Sequence, residues 1–238
     1  MSMVTSLRTR NRSLELMDQV DIDVADHREA LKGLERINAI SGTGRVVWKQ
    51  IRRLSQQENR PLRVLDLACG GGDLLIWLSK KAERSGVDLE CTGCDISPVA
   101  IGHASETAVR LKTKNLDFCS HNVLEDTIPQ GYDIVLSTLF LHHLDQADAI
   151  SFLHRAAQAA RCGLLIDDLL RTPLGYALAW IGCRLLSRSH VVHYDGPVSV
   201  QGAFSLEELQ SLLHEAGLDS ATVTRHWPKR CLVTWWRS

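Results

Sequence analysis

The run Leu65-Asp66-Leu67-Ala68-Cys69-Gly70-Gly71-Gly72-Asp73 carries the clearest chemical signal in the 238-residue chain. Its three glycines follow an apolar stretch and precede an amphipathic one, so the backbone can turn sharply and a ligand can lie against bare peptide. A phosphate-binding loop would end in Gly-Lys-Ser/Thr, and no lysine follows Gly72. A dinucleotide loop counted from Gly70 needs glycine where Leu75 stands. Asp66 and Asp73 put negative charge on both sides of the bend, which opposes a pyrophosphate. A ligand with a cationic ammonium or sulfonium centre suits it better.

A second acid, Asp95, ends the next apolar run, where a carboxylate can accept both ribose hydroxyls of a nucleoside. Ser97 and Pro98 then read as the N-cap and first turn of a helix. Behind these groups the chain alternates short apolar strands with amphipathic helices. Strands are expected at Leu62–Leu67, Leu89–Asp95, Leu116–Ser120, Tyr132–Thr138 and Gly163–Asp167. Helices are expected at about Asp73–Ser85, Pro98–Leu111 and Asp145–Arg161. This alternation predicts an α/β fold with a doubly wound, mainly parallel sheet.

Two departures frame that core. On the N-terminal side, Leu31, Leu34, Ile37 and Ile40 recur at helical spacing. A break at residues 41–44 follows, then a second helix with Val47, Ile51 and Leu54. Residues 1–60 thus read as a helical extension or cap, with Met1–Val24 polar and frayed or loosely docked. On the C-terminal side, Ser205 and Glu208 form a capping box for a helix ending at Gly217. Runs Ala221–Trp227 and Cys231–Arg237 are joined by only three residues, which suits a hairpin and not a crossover.

These features together resemble the class I S-adenosylmethionine-dependent methyltransferases, from about Arg63 to the C-terminus. That family's loop runs acid-x-Gly-x-Gly-x-Gly, and Asp66, Gly70, Gly72 and Asp95 match it, with Ala68 at the first glycine. The resemblance implies a seven-stranded sheet in the order 3-2-1-4-5-7-6, strand 7 antiparallel. It implies that Asp66, Ala68, Gly70, Gly72, Asp95, Ile96 and Ser137 hold S-adenosyl-L-methionine. It also places Asn122 at the adenine, flanked by Val123 and Leu124; a plain turn residue is the lesser reading of Asn122.

In such sheets ligands bind beyond the carboxyl ends of the strands, near the switch point. There lie Ser137 to His143 after strand four, Asp167, Asp168 and Arg171 after strand five, and His190, His193, Tyr194 and Asp195 further on. Methyl transfer is an in-line displacement, so a base is needed only when the acceptor must lose a proton. His143 is the first choice for that base, with Asp168 and Tyr194 behind it. A wall role for His142 and His143 is the plainer reading. Residues 173–204 resemble a lid: Leu174, Tyr176, Leu178, Trp180, Ile181, Leu185 and Leu186 lie nearly all round one helix. The expected acceptor is a small lipophilic or aromatic metabolite, methylated on oxygen or less readily on carbon, as in quinone-forming and polyketide-tailoring members of the family. A helix buried against the N-terminal layer or a homodimer partner explains the same residues.

Composition sets bounds on partners. The formal net charge is -1, with 45% hydrophobic and 23% charged residues, so no basic field marks a nucleic-acid partner. No run is long enough to span a bilayer, though a lipophilic substrate would invite access from a membrane surface. Seven scattered cysteines suit reduced thiols in the cytoplasm, and Cys91 and Cys94 lack a second pair to complete a zinc site, so no metal is expected. The rival readings are a nicotinamide-dependent oxidoreductase and a non-catalytic binder of the same cofactor.

Overall fold

A computed structural model describes residues 7–19, 21–58 and 60–237. Two helices, α1 (Val24–Ser41) and α2 (Thr43–Ser55), precede the sheet. The central chain then runs β1 (Leu62–Leu67), α3 (Asp73–Ser85), β2 (Leu89–Asp95), α4 (Pro98–Arg110), β3 (Leu116–Ser120), β4 (Tyr132–Thr138), α5 (Gln146–Ala159) and β5 (Ala160–Leu169). After β5 come α6 (Pro173–Leu186), α7 (His190–Gly202), α8 (Leu206–Glu215), β6 (Thr222–His226) and β7 (Arg230–Trp236).

The strand order is β3-β2-β1-β4-β5-β7-β6, with β7 antiparallel to both neighbours, as the resemblance implied. Side chains alternate across the sheet with the two-residue period of a strand. Leu65, Leu67, Val135, Leu164 and Ile166 pack with Phe152 and Leu153 of α5 and Leu209 and Leu212 of α8. Leu62, Val64, Ile134, Leu136 and Leu165 face the other way, onto Val47 and Ile51 of α2 and Leu75 and Leu78 of α3. Both faces are therefore dry, which is why these strands read as nearly unbroken apolar runs.

β5 is longer than expected at both ends: Ala160 pairs with Tyr132 of β4, and the antiparallel partner β7 carries pairing out to Leu169. Residues 190–202, left without an element by the sequence reading, form helix α7 despite an internal Pro197. In the N-terminal segment, expected to be frayed or loosely docked, residues 1–6 and 20 lie outside the described residues, and the rest takes the docked form. Residues 7–18 are docked, since Leu7 and Glu15 are buried and Asp195 accepts hydrogen bonds from the backbone N–H of Leu16 and Met17. A satellite core of Ala30, Cys183, Val191 and Val192, with Leu16, Met17, Leu34 and Ile37 around it, joins this arm to α1, α6 and α7.

The far end of α1 is pinned to the sheet by polar groups. Buried Arg230 of β7 donates to Ser41 Oγ, Thr43 Oγ1 and Asn38 Oδ1, and Thr43 Oγ1 donates to Asp167 Oδ1 at 2.9 Å. Asp167 thereby anchors the junction of α1 and α2. Arg171 does similar work, holding Glu208 through two 2.7 Å bonds and the carbonyls of Leu7 and Ala203.

Candidate active site

Order reverses between β1 and β4, and the chain turns sharply just after each. Ala68, the first residue past β1, has φ 56°, and Leu139, the first past β4, has φ 56°. Non-glycine residues in this left-handed region cost roughly 1–2 kcal/mol each. Such strain collects where backbone shape serves a site. Ser137, just before the β4 turn, is buried and donates its hydroxyl to the Leu67 carbonyl at 2.7 Å. Its proton is committed to tying the two strand ends together, so it shapes the opening from behind.

The glycine bend continues that path. Gly70 (φ 52°) and Gly72 (φ 70°) are both left-handed. A Cβ on Gly72 would stand 2.5 Å from the Phe118 ring, so the bend needs glycine there for space as well as for φ. Above Gly70 the space is open, with nothing within 4 Å of a built Cβ. The Gly70 N–H donates to Asp95 Oδ2 at 2.8 Å, and the Ser97 N–H to Asp95 Oδ1 at 2.9 Å. Each carboxylate oxygen keeps a further lone pair for a ligand hydroxyl.

Three acids wall this opening. Asp66 is buried, and its Oδ1 has no hydrogen-bond partner. Burial first, then repulsion from Asp73 and Asp95, holds its carboxyl well above the usual carboxylate range. Burial also raises Asp73, against the pull of the Asn38 amide, and raises Asp95, against the two backbone N–H groups it accepts from. Unbalanced negative charge in a shielded bend favours a cation entering it. S-adenosylmethionine fits these residues: a partnerless buried oxygen, open space over bare peptide, and an acid at the ribose distance along the chain.

The adenine side is mixed. Ile96 stands 65% exposed and Leu124 39% exposed, while Val123 is buried. Asn122 Oδ1 accepts from the Leu124 N–H at 3.1 Å, and its own N–H donates to Asp126 Oδ2 at 2.9 Å. That is a side-chain turn, so Asn122 organises the loop and has one lone pair left for a ligand. From above, Leu31 of α1 and His103 of α4 lie 3.5 and 3.4 Å from the Cβ position of Gly71.

Beyond β4, a 3-10 turn at Leu141–His143 carries the paired histidines, and the N-terminal arm closes over it. Arg10 donates to the carbonyls of His142 and Leu144, and Arg12 to that of His143. His142 is buried, with Nδ1 2.7 Å from Asp168 Oδ1, and its backbone N–H donates to Asp168 Oδ2. Asp168 also accepts from the Leu169 N–H. Burial would raise Asp168, but the His142 imidazole holds it below the usual range. Burial would likewise depress His142, yet Asp168 and Glu15 together push it up to about 10. Asp168 is thus buried, takes three hydrogen bonds and positions His142.

His143 is partly exposed, and its Nδ1 lies 2.8 Å from Asp18 Oδ2. Glu15 sits between the two rings, 3.6 Å from His142 Nε2 and 4.0 Å from His143 Nε2. Ser199 donates to it at 2.6 Å. Tyr194 stands half exposed on α7, and His190 lies near Asp26, away from the histidine pair. Cys91 and Cys94 are buried, which pushes both thiols up to about 12 and keeps them protonated. Sequence reasoning missed Glu15, Asp18, Leu31 and Asn38, because nothing in their spacing signals a site. Only the fold brings them there.

Comparison with known proteins agrees with this geometry. Residues 65–163 match the family model described as "Methyltransferase domain". The ubiquinone biosynthesis O-methyltransferase of Azorhizobium caulinodans is 32% identical over 135 residues, 53% of this chain and 48% of that protein. Ajmaline N-methyltransferase of Rauvolfia serpentina is 31% identical over 112 residues, 46% of this chain and 36% of that protein. The chain spans about half the length of the first of these relatives. Magnesium protoporphyrin IX methyltransferase from Synechocystis PCC 6803, solved with bound SAH, shares the fold at a TM-score of 0.60 and 18% identity, over 86% of both chains. Among the described residues no helix is long and apolar enough to cross a membrane.

Proposed function

We propose that this chain, which matches a methyltransferase domain model over residues 65–163, transfers a methyl group from S-adenosylmethionine to an oxygen of a small lipophilic or aromatic metabolite. The observation that carries the proposal is the bend after β1. There the carboxylates of Asp66, Asp73 and Asp95 are all raised by burial, and one Asp66 oxygen lacks a partner. S-adenosylmethionine brings a methyl already activated on a cationic sulfur, together with an ammonium group. In this reading Asp95 accepts the ribose hydroxyls, Ile96 and Leu124 cover the adenine, and the open space over Gly70 takes the amino-acid portion.

Because the donor is activated, the protein's task is to hold acceptor oxygen and methyl carbon in line and to keep water out. The arm and α1 are built for exclusion, lying across the strand ends with Leu31 against the bend. An apolar acceptor is supported by α6, where Leu174, Trp180, Ile181 and Leu185 are exposed next to this cover. Curated relatives named for quinone O-methylation point the same way, while the N-methyltransferase relative keeps nitrogen as the second acceptor class. Incubation with tritiated-methyl S-adenosylmethionine and a panel of alkylated phenols, catechols and amines tests the assignment. Label should enter a solvent-extractable phenol ether. Label in amines alone would overturn the oxygen assignment, and label in neither class would overturn the acceptor class.

A further inference from the structure

Glu15, His142 and His143 place one ligand atom each within 4.8 Å of one another, under the arm and beside the switch point. Asp168 and Asp18 are acceptors only when ionised, so each histidine places its proton on Nδ1 to meet its carboxylate. Both Nε2 atoms are then left facing Glu15. Two imidazoles and one carboxylate are a donor set for divalent transition metals. A metal-bound histidine nearly always gives its other N–H to a carboxylate, a backbone carbonyl or water, and here both meet a carboxylate. The Arg10 and Arg12 bonds to the turn carbonyls, with Ser199 on Glu15, hold the three groups on fixed backbone.

We propose that Glu15, His142 and His143 bind one divalent transition-metal ion, with Asp168 and Asp18 as the outer carboxylates that orient the rings. Bonds of about 2.0–2.2 Å put ligand atoms roughly 3–3.5 Å apart, so closing the site asks for movements of about 1 Å or less. Positions not filled by the three protein ligands remain for water or for an acceptor oxygen. The site stands without the methyltransferase reading; only its use on an acceptor hydroxyl rests on that reading. Under this assignment His143 Nε2 is a ligand, so His143 is not the lone base that the sequence suggested.

Tag-free full-length protein, stripped with chelator, should bind one equivalent of Zn2+ by calorimetry in the absence of cofactor. Co2+ should give visible ligand-field bands without intense thiolate charge transfer. Glu15→Gln and His143→Ala should each abolish the tight equivalent, and Asp18→Asn should weaken it about 10–100-fold. Each variant should keep its circular dichroism and its affinity for S-adenosylhomocysteine. No binding to the wild type, thiolate bands, or an unchanged equivalent in both ligand variants would each overturn the site. Loss of S-adenosylhomocysteine binding with the Zn2+ equivalent intact would instead strike the cofactor assignment.

Discussion

The two ends of the opening are built in opposite ways. At the β1 end the backbone makes the site: left-handed Ala68, Gly70 and Gly72, with a free peptide surface above them. Its acids are raised because burial outweighs the neighbours that pull them down, Asn38 and Arg230 at Asp73 and two backbone N–H groups and His27 at Asp95. At the β4 end side chains make the site, and its acids are answered: histidines hold Glu15, Asp18 and Asp168 down against the burial that would raise each. One end waits for a charged ligand. The other has assembled its own counter-charges from distant parts of the chain. The lesson is that a pocket can combine a low-stability, ligand-completed half with a pre-formed half that carries the stability.

If that contrast is right, mutations at the two ends should part company. The largest effect belongs to Asp168→Ala, which leaves His142 buried without the carboxylate that fixes it. Breaking such a buried pair costs about 3–5 kcal/mol, readable by urea denaturation of chelator-treated protein. Asp95→Ala should do the reverse. Affinity for S-adenosylmethionine should fall by about 1–3 kcal/mol in calorimetry, with little change in the denaturation midpoint. Equal stability losses at both ends would erase the distinction.

Asp66→Asn sharpens it further through sign. A carboxyl raised in the folded state keeps its proton longer there than in the unfolded chain. Its stability contribution is therefore present at acid pH and is lost as pH rises through the folded value. Ligand-free protein should lose stability across that rise, and Asp66→Asn should flatten the loss. A gain of about 1 kcal/mol at neutral pH would read as roughly 2–4 °C in melting temperature. Affinity for the cofactor should drop in the same variant. The smallest effect is expected from Ala68→Gly, where relief of a left-handed alanine, about 1–2 kcal/mol, is partly offset by the looser unfolded chain, about 0.4–1 kcal/mol. A change of melting temperature beyond a few degrees would show that Ala68 does more than turn the chain.

The same contrast explains what could be read from the sequence. Strand and helix limits for β1 to β4 were legible because period-2 and helical patterns and caps act locally. The bend was legible for the same reason: Asp66, Gly70 and Gly72 lie within a few residues, and Asp95 ends the neighbouring strand. The histidine end was half legible. His142 and His143 stand together after β4, but the arm that supplies Glu15 and Asp18 has no periodicity and looked frayed. Its order comes from tertiary bonds to Asp195, Gly202 and the histidine turn. Asp168 was half legible for a related reason: its place at a strand end shows in the sequence, but the three hydrogen bonds it accepts do not.

The central claim is that the acid-walled bend seats S-adenosylmethionine, and calorimetry on the full-length chain tests it most directly. One equivalent should bind to the wild type, NADH should give no heat, and Gly70→Arg, which fills the space over the bend, should bind nothing while keeping its fold. No heat with S-adenosylmethionine, or the same affinity in Gly70→Arg, would contradict it.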